Sequence, residues 1–289
     1  MTLLILRFLI AVCLLVVYPI ASTAQESQQA SQQNAEEEIP EANPGRPTVA
    51  TPATLTPVGY LQFETGVLAA WNSPGVVSQT SINEVIKYSV SRWLELLVAS
   101  QPYAHSHAVG QPTNAPGDVD LGVQAVLYHG RDAKPTIAMS YFGRVYSGSA
   151  ANLDIGSSQN SVLVLVSGDV RGFHYDNNYF FNEVINDPVR RAQFGQTLSV
   201  SHALAGKFGI AGEIWHFTQP FLQGNAVGNL WAVNYNLRRN LVLDCGFDHG
   251  FTSTSTQWEV FAGFTYLLPH KLPLTWPKAD RSNPRGGHF

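Results

Sequence analysis

The sequence predicts an all-β fold: an antiparallel transmembrane β-barrel of about twelve strands. A cleaved leader and a disordered segment are expected to precede it. Three observations carry the prediction. The first is the stretch Asn225 to Leu268, which reads as three strands in a row. Leu241, Leu243, Cys245 and Phe247 alternate there with Val242, Asp244, Gly246 and Asp248. Trp258, Val260, Ala262, Phe264 and Tyr266 then alternate with Glu259, Phe261, Gly263 and Thr265. A period of two sends successive side chains to opposite faces, so one face is bulky and apolar and the other carries acids, glycines and small polar groups. The second observation is that short and long connections alternate along the chain, as they do in membrane barrels. The third is that no segment after the leader approaches the ~18 apolar residues of a spanning helix. The densest run is Ser161 to Ser167.

Residues 1–24 have the form of a secretory signal peptide. Arg7 supplies the positive end, Phe8 to Val17 the apolar core, and Ser22-Thr23-Ala24 the small residues before cleavage. Its removal takes Cys13 and leaves Cys245 alone, so no intrachain disulfide is expected. Cys245 lies on the apolar face and reads as a small hydrophobe. Residues 25–59 are rich in Gln, Ala, Ser and Glu and then in Pro and Thr. Such a composition buries little, and a disordered periplasmic segment is expected.

The barrel is expected over 60–268. The alternating runs are 60–71, 80–90, 93–101, 117–128, 134–146, 159–167, 172–184, 191–203, 206–218, 226–237, 240–250 and 256–268. Each is close to or above the ~9–11 residues that cross a bilayer when tilted. Ser91-Arg92, His129 to Ala133, Gly168 to Arg171, Leu204-Ala205 and Arg238-Arg239 are short connections. Longer ones fall between them, at Asn72 to Gln79, Pro102 to Pro116, Ser147 to Ser158, Ile185 to Arg190, Gln219 to Asn225 and Phe251 to Ser255. An even strand number puts both termini and the short turns at the periplasmic end. Trp71, Trp93, Tyr141, Tyr146, Trp231, Tyr235, Trp258 and Tyr266 fall near strand ends or on the apolar face, as interfacial aromatics do. Residues 269–289, with His270, Lys271, Lys278, Arg281 and Arg285, read as a periplasmic tail.

Charged residues make up 13% of the chain, about half the usual share. The formal net charge is -4, which gives no basic surface for nucleic acid. A charge on the lipid face at mid-depth costs about 2–4 kcal/mol. Charged strand residues are therefore expected to point inward: Glu64, Lys87, Glu95, Asp118, Asp120, Arg144, Glu213, Asp244 and Asp248 line the lumen and are the candidates for selectivity. Glu84 breaks the pattern and is expected at an interface. No cofactor or metal is expected, because His105 and His107 have no converging Cys or cluster of acids beside them. Ser201 and His202 are neighbours in a strand and face opposite ways, so they do not form a hydrolytic pair with each other.

Several short motifs, in this order, resemble the phenol meta-pathway degradation-like outer-membrane family over most of residues 46–268. They are Arg46-Pro47, then Thr56-Pro57-Val58-Gly59-Tyr60-Leu61-Gln62-Phe63-Glu64-Thr65-Gly66, then Lys87 to Leu96. Gly117-Asp118-Val119-Asp120-Leu121-Gly122, Asn240 to Gly250 and Phe261 to Tyr266 follow. Lys87 stands where that family commonly has Arg, and Gln124 where it commonly has Lys. The resemblance implies a bacterial outer-membrane barrel that passes small, often aromatic, compounds. The expected function is thus a passive channel and not an enzyme, with outer-membrane lipid and a small-molecule permeant as its partners. The competing readings are a non-conducting structural or adhesive barrel and an outer-membrane lipid hydrolase.

Overall fold

The computed structural model describes residues 39–108, 112–131, 134–153, 158–186 and 188–272. The expected leader over residues 1–24, residues 25–38 and the expected tail from 273 lie outside these. The described strands are β1 (Leu61–Ser73), β2 (Val76–Ser91), β3 (Leu94–Ala108), β4 (Pro112–Ala115), β5 (Val119–Tyr128), β6 (Thr136–Tyr146) and β7 (Ser158–Val170). They continue with β8 (Phe173–Asn186), β9 (Val189–Ala203), β10 (Phe208–Gln219), β11 (Gly224–Arg238), β12 (Leu241–Gly250) and β13 (Trp258–Leu267). All pairings are antiparallel between neighbours, and β1 pairs with β13 from Gln62 opposite Leu267 to Trp71 opposite Trp258. β4 only extends the far end of β3, with Asn114 opposite His105. Removing it leaves a closed ring of twelve strands with no free edge. Closure satisfies every ladder position, which is the condition for a sheet to sit in hydrocarbon.

The connections differ from expectation. Asn72 to Gln79 is not a loop: β1 and β2 run on to a turn at Pro74-Gly75, where Asn72 (φ 55°) and Gly75 (φ +78°) adopt left-handed backbone. Such values suit a tight hairpin. β8 and β9 likewise run on, leaving only residues 187 and 188 between them. The reason is strand length. β2 has 16 residues, β8 has 14 and β9 has 15, beyond the ~9–11 a bilayer requires, so these hairpins project past it. A rule based on loop length therefore fails at three of the six far-end connections, the third being Pro102 to Pro116, where β3 and β4 take up most of the expected loop, while the strand order holds.

One face of each of the twelve ring strands is largely apolar and solvent-exposed in the isolated chain. Val67, Leu121, Val162, Leu198, Ile214 and Phe264 are typical, and Ile214 reaches 64% exposure. A continuous band of such residues on a water-soluble surface would promote aggregation; against acyl chains it is the expected solvent match. Trp71, Trp258 and Trp231 lie on this outward face, with Trp231 packed over Gly212. Cys245 is outward and half-buried, opposite Val233 and Ala262.

Glu84 shares this outward face. It is opposite Thr65 on β1 and Ser100 on β3, next to the exposed pair Val67–Ile82. A carboxylate there stands against lipid at a cost of up to about 2 kcal/mol, since acids are tolerated better than Arg or Lys. Glu84→Leu is expected to raise the urea midpoint of the barrel folded in liposomes. A lower midpoint would show that the Thr65–Glu84–Ser100 row makes contacts the barrel needs.

The largest departure concerns the expected disordered segment. Residues 39–59 are ordered, and most of them lie inside the ring. Composition hid this, because these residues are held by the wall's side chains and not by their own packing.

Candidate functional site

The segment before β1 makes a re-entrant loop in the lumen. It starts at the short-turn end, where the Ala42 amide donates to the carbonyl of Arg239 at 2.9 Å. Ala42 packs there with Tyr60, Val242 and Leu267. The chain climbs to an apex at Val49, which packs against Trp215, Phe217 and Ala226 on the inner wall. It then descends through Ala53 and Leu55 to Gly59, whose amide donates to Ser89 at 2.8 Å. Asn43 Nδ2 donates to the Thr54 carbonyl at 3.0 Å and ties the two arms together.

This loop has no regular secondary structure, so its backbone N–H groups need partners from elsewhere. Inward side chains on four strands of the wall, β1, β3, β7 and β10, accept from them, and one on β5 donates to a loop carbonyl. The Asn43 amide donates to Gln62 Oε1 (2.9 Å) and the Gly45 amide to Glu64 Oε1 (2.9 Å). The amides of Val49 and Ala50 both donate to the Glu213 carboxylate, at 2.7 and 2.8 Å. The Ala53 amide donates to Ser167 Oγ (2.7 Å), which donates to Asp176 (2.5 Å). Gln124 Nε2 donates to the Pro52 carbonyl at 3.0 Å. Glu95 accepts the Thr56 amide and the Ser89 hydroxyl, each at 2.9 Å, and also the Thr56 hydroxyl. Bonds to carboxylates are charge-assisted and the strongest of this set.

Two ion pairs flank the ascending arm, one within the wall and one from the arm to the wall. Lys87 Nζ lies 2.6 Å from Glu64 Oε1, with both side chains almost fully buried. Arg46 grips Asp244 through two bonds, Nε to Oδ2 at 3.2 Å and Nη2 to Oδ1 at 3.0 Å. The space for this guanidinium comes from missing side chains. Asp244, Gly263, Gly66 and Asn83 occupy one register row across β12, β13, β1 and β2. A Cβ at Gly66 would sit 2.4 Å from Arg46 Cζ, and one at Gly263 2.7 Å from its Nη2. The paired glycines form a notch that only a flat group can fill.

A second row carries charge. Asp176, Ser199, Glu213, Leu230, Asp248 and Glu259 are successive register partners from β8 to β13, all on the inward face. Trp215 Nε1 reaches across Gly228 to donate to Asp248 Oδ2 at 2.7 Å. Opposite this acidic arc the wall is apolar: Ala53 and Leu55 pack on Val126, Ala138, Leu163 and Leu165, with Phe142 and Phe180 alongside. The far mouth is narrowed by the β6–β7 connection. Its Gly148 amide donates to Asp118 (3.0 Å), and Gln79 on β2 donates to the Ala151 carbonyl (2.7 Å). Arg144 holds Asp118 at 2.7 Å and approaches Asp120 at 3.9 Å.

The nine charged residues singled out from sequence thus lie in three places. Glu64, Lys87, Glu95, Asp244 and Glu213 hold the re-entrant loop, Asp248 sits beside Glu213 in the acidic arc, and Asp118, Asp120 and Arg144 cluster at the far mouth. Sequence reading missed Arg46, which lay in a segment given no fold, and Gln62, Ser167, Asp176 and Glu259. It also missed Trp215 and Phe217. In FGIAGEIWHFTQ both faces carry large apolar groups, and that was the available signal that this part of the lumen is not purely polar.

A closed, apolar-jacketed ring with a polar, chain-filled lumen defines the class of outer-membrane-type β-barrels. The solved structures it resembles agree in fold. The NanC porin superposes with a TM-score of 0.52 at 11% identity, covering 72% of this chain and 100% of that one. An outer-membrane channel from Pseudomonas putida F1 gives 0.54 at 13% identity, covering 75% and 98%. No family model matches the sequence, and no curated relative does.

Proposed function

We propose that this protein is a channel of the bacterial outer membrane, passing small molecules and performing no chemistry on them. The carrying observation is the re-entrant loop. It fills the lumen of a twelve-stranded ring, and what fastens it to the wall is a set of side-chain hydrogen bonds, local apolar packing and the Arg46–Asp244 ion pair. Twelve strands enclose less space than the 16–18 of open porins, so one short loop suffices as a gate. The apolar inner surface at Phe142, Leu163, Phe180 and Phe217 supports hydrophobic or aromatic permeants, in keeping with the resemblance to the phenol meta-pathway degradation-like family. The acids of the lumen would set which charges pass.

Protein reconstituted in liposomes is expected to give slow uptake of small neutral solutes. A variant with the loop loosened is expected to give fast uptake. Folded protein that leaves vesicles sealed in both forms would reject the channel.

A further inference from the structure

The outward face of the wall carries a polar row of its own, across β6 to β9 and towards the far end. The Tyr141 hydroxyl donates to Asn160 Oδ1 at 2.7 Å. Asn160 Nδ2 donates to Glu183 Oε2 at 2.5 Å, and Arg190 Nη1 donates to Glu183 Oε1 at 2.8 Å. Asn160 and Glu183 are direct register partners on β7 and β8. Both oxygens of the Glu183 carboxylate are thus engaged, and the carboxylate holds the guanidinium in one place. Despite that bond the Arg190 side chain is 66% exposed. Its remaining N–H groups form a fork that matches two oxygens of a phosphate.

Next to this row the wall is aromatic. Phe181 and Phe194 are register partners on β8 and β9, with ring centroids 5.7 Å apart and planes at 90°. With Glu183, Arg190 and Ala192 they line an open groove of about 400 Å³. The ladder sets their depth. β9 ends at Ala203, beside the short turns. The ~9–11 residues that cross the hydrocarbon, counted back from there, end near Phe194. Arg190 stands beyond it, at the level of lipid headgroups, where positive charge meets anionic lipid. Among the described residues the far end is otherwise poor in cations. Arg144 holds Asp118 in the mouth, whereas Arg190 and Arg191 stand together at the β8–β9 hairpin. The Arg191 guanidinium lies 5.0 Å over the Phe221 ring and adds its charge to the same corner. The other rim cations, such as Arg92, Arg171 and Arg238, belong to the short turns.

We infer that this groove binds a phosphorylated lipid of the outer leaflet, with the phosphate on Arg190 and an acyl chain over Phe181 and Phe194. In a bacterial outer membrane that leaflet offers a phosphorylated glycolipid, and the occupant is of this class. Tyr141, Asn160 and Glu183 position the guanidinium and do not touch the phosphate. The site lies on the lipid side of the wall, so it stands whether or not the lumen conducts.

The test is calorimetric titration of the full-length protein, in non-ionic detergent with EDTA, against diphosphoryl lipid A, the same lipid without its phosphates, and inorganic phosphate. Lipid A is expected to bind about tenfold more tightly than the dephosphorylated lipid, and inorganic phosphate not measurably. Arg190→Gln is expected to cut that preference to about threefold or less while leaving the dephosphorylated lipid within about twofold. Arg190→Lys keeps the charge without the fork and is expected to fall between. Phe194→Ala is expected to weaken both lipids alike, with the urea midpoint of each variant checked against wild type. Equal affinities for the two lipids, phosphate alone bound as tightly as lipid A, or a preference untouched by Arg190→Gln would overturn the site. A preference that appears only when Mg²⁺ replaces EDTA would overturn it too, by placing a bridging cation on Glu183 instead.

Discussion

Arg46→Ala is expected to open the proposed channel. Asp244, with a side chain only 3% exposed, then loses its cation, and the ascending arm loses its ion pair to β12. Removing one partner of a buried pair costs about 3–5 kcal/mol, and the lower end applies here because the Arg46 side chain is itself 18% exposed. That cost falls on the docked state of the loop, not on the ring, whose ladder is intact. Single-channel recording in planar bilayers should show higher conductance and longer open times than wild type. Arg46→Lys should fall between the two, since an ammonium cannot lie flat in the notch or bond Asp244 twice. Gly66→Ala should act like Arg46→Ala while leaving every charge in place, because the atoms nearest its new Cβ all belong to Arg46. Wild-type conductance in both Arg46→Ala and Gly66→Ala would show that the loop does not gate.

Lys87→Met is expected to be the most destabilising substitution of a lumen charge. It leaves Glu64 buried, still accepting from Gly45 and Gln62 but without the ammonium 2.6 Å away. A loss of about 3–5 kcal/mol follows, visible as a lower urea midpoint of the barrel refolded in liposomes. Adding Glu64→Gln should restore most of that loss. The amide is neutral, and its oxygen can still accept the Gly45 N–H. If the double variant is no more stable than Lys87→Met alone, the pair is not what sets the cost.

The wall was legible in the sequence because its signal is local. Alternation at Leu241 to Asp248 and Trp258 to Thr265 reports which side of a strand meets lipid, and no distant residue changes that. The inward direction of Glu64, Lys87 and Asp244 follows from the same parity plus the cost of a charge in hydrocarbon. What the charges hold was not legible. Glu213 reads as a lone acid in a strand; its role as acceptor for two backbone amides depends on residues more than 160 positions earlier. Residues 42–57 have neither the period of a strand nor that of a helix. Their order comes from enclosure, and enclosure leaves no mark on composition. Gly66 and Gly263 looked like small residues on a polar face. Only register shows that they are neighbours, and only Arg46 gives the vacancy a purpose.

The geometry of the re-entrant loop has a mechanical corollary. Its feet, near Ala42 and Tyr60, stand at the same rim. A tug on the chain ahead of Ala42 from that side acts along the axis of withdrawal. It meets the fastenings one after another, Gln62 and Glu64 first and Glu213 later, instead of all at once. No pair of strands has to part for the plug to come out, so unplugging and unfolding are separate events with separate force thresholds.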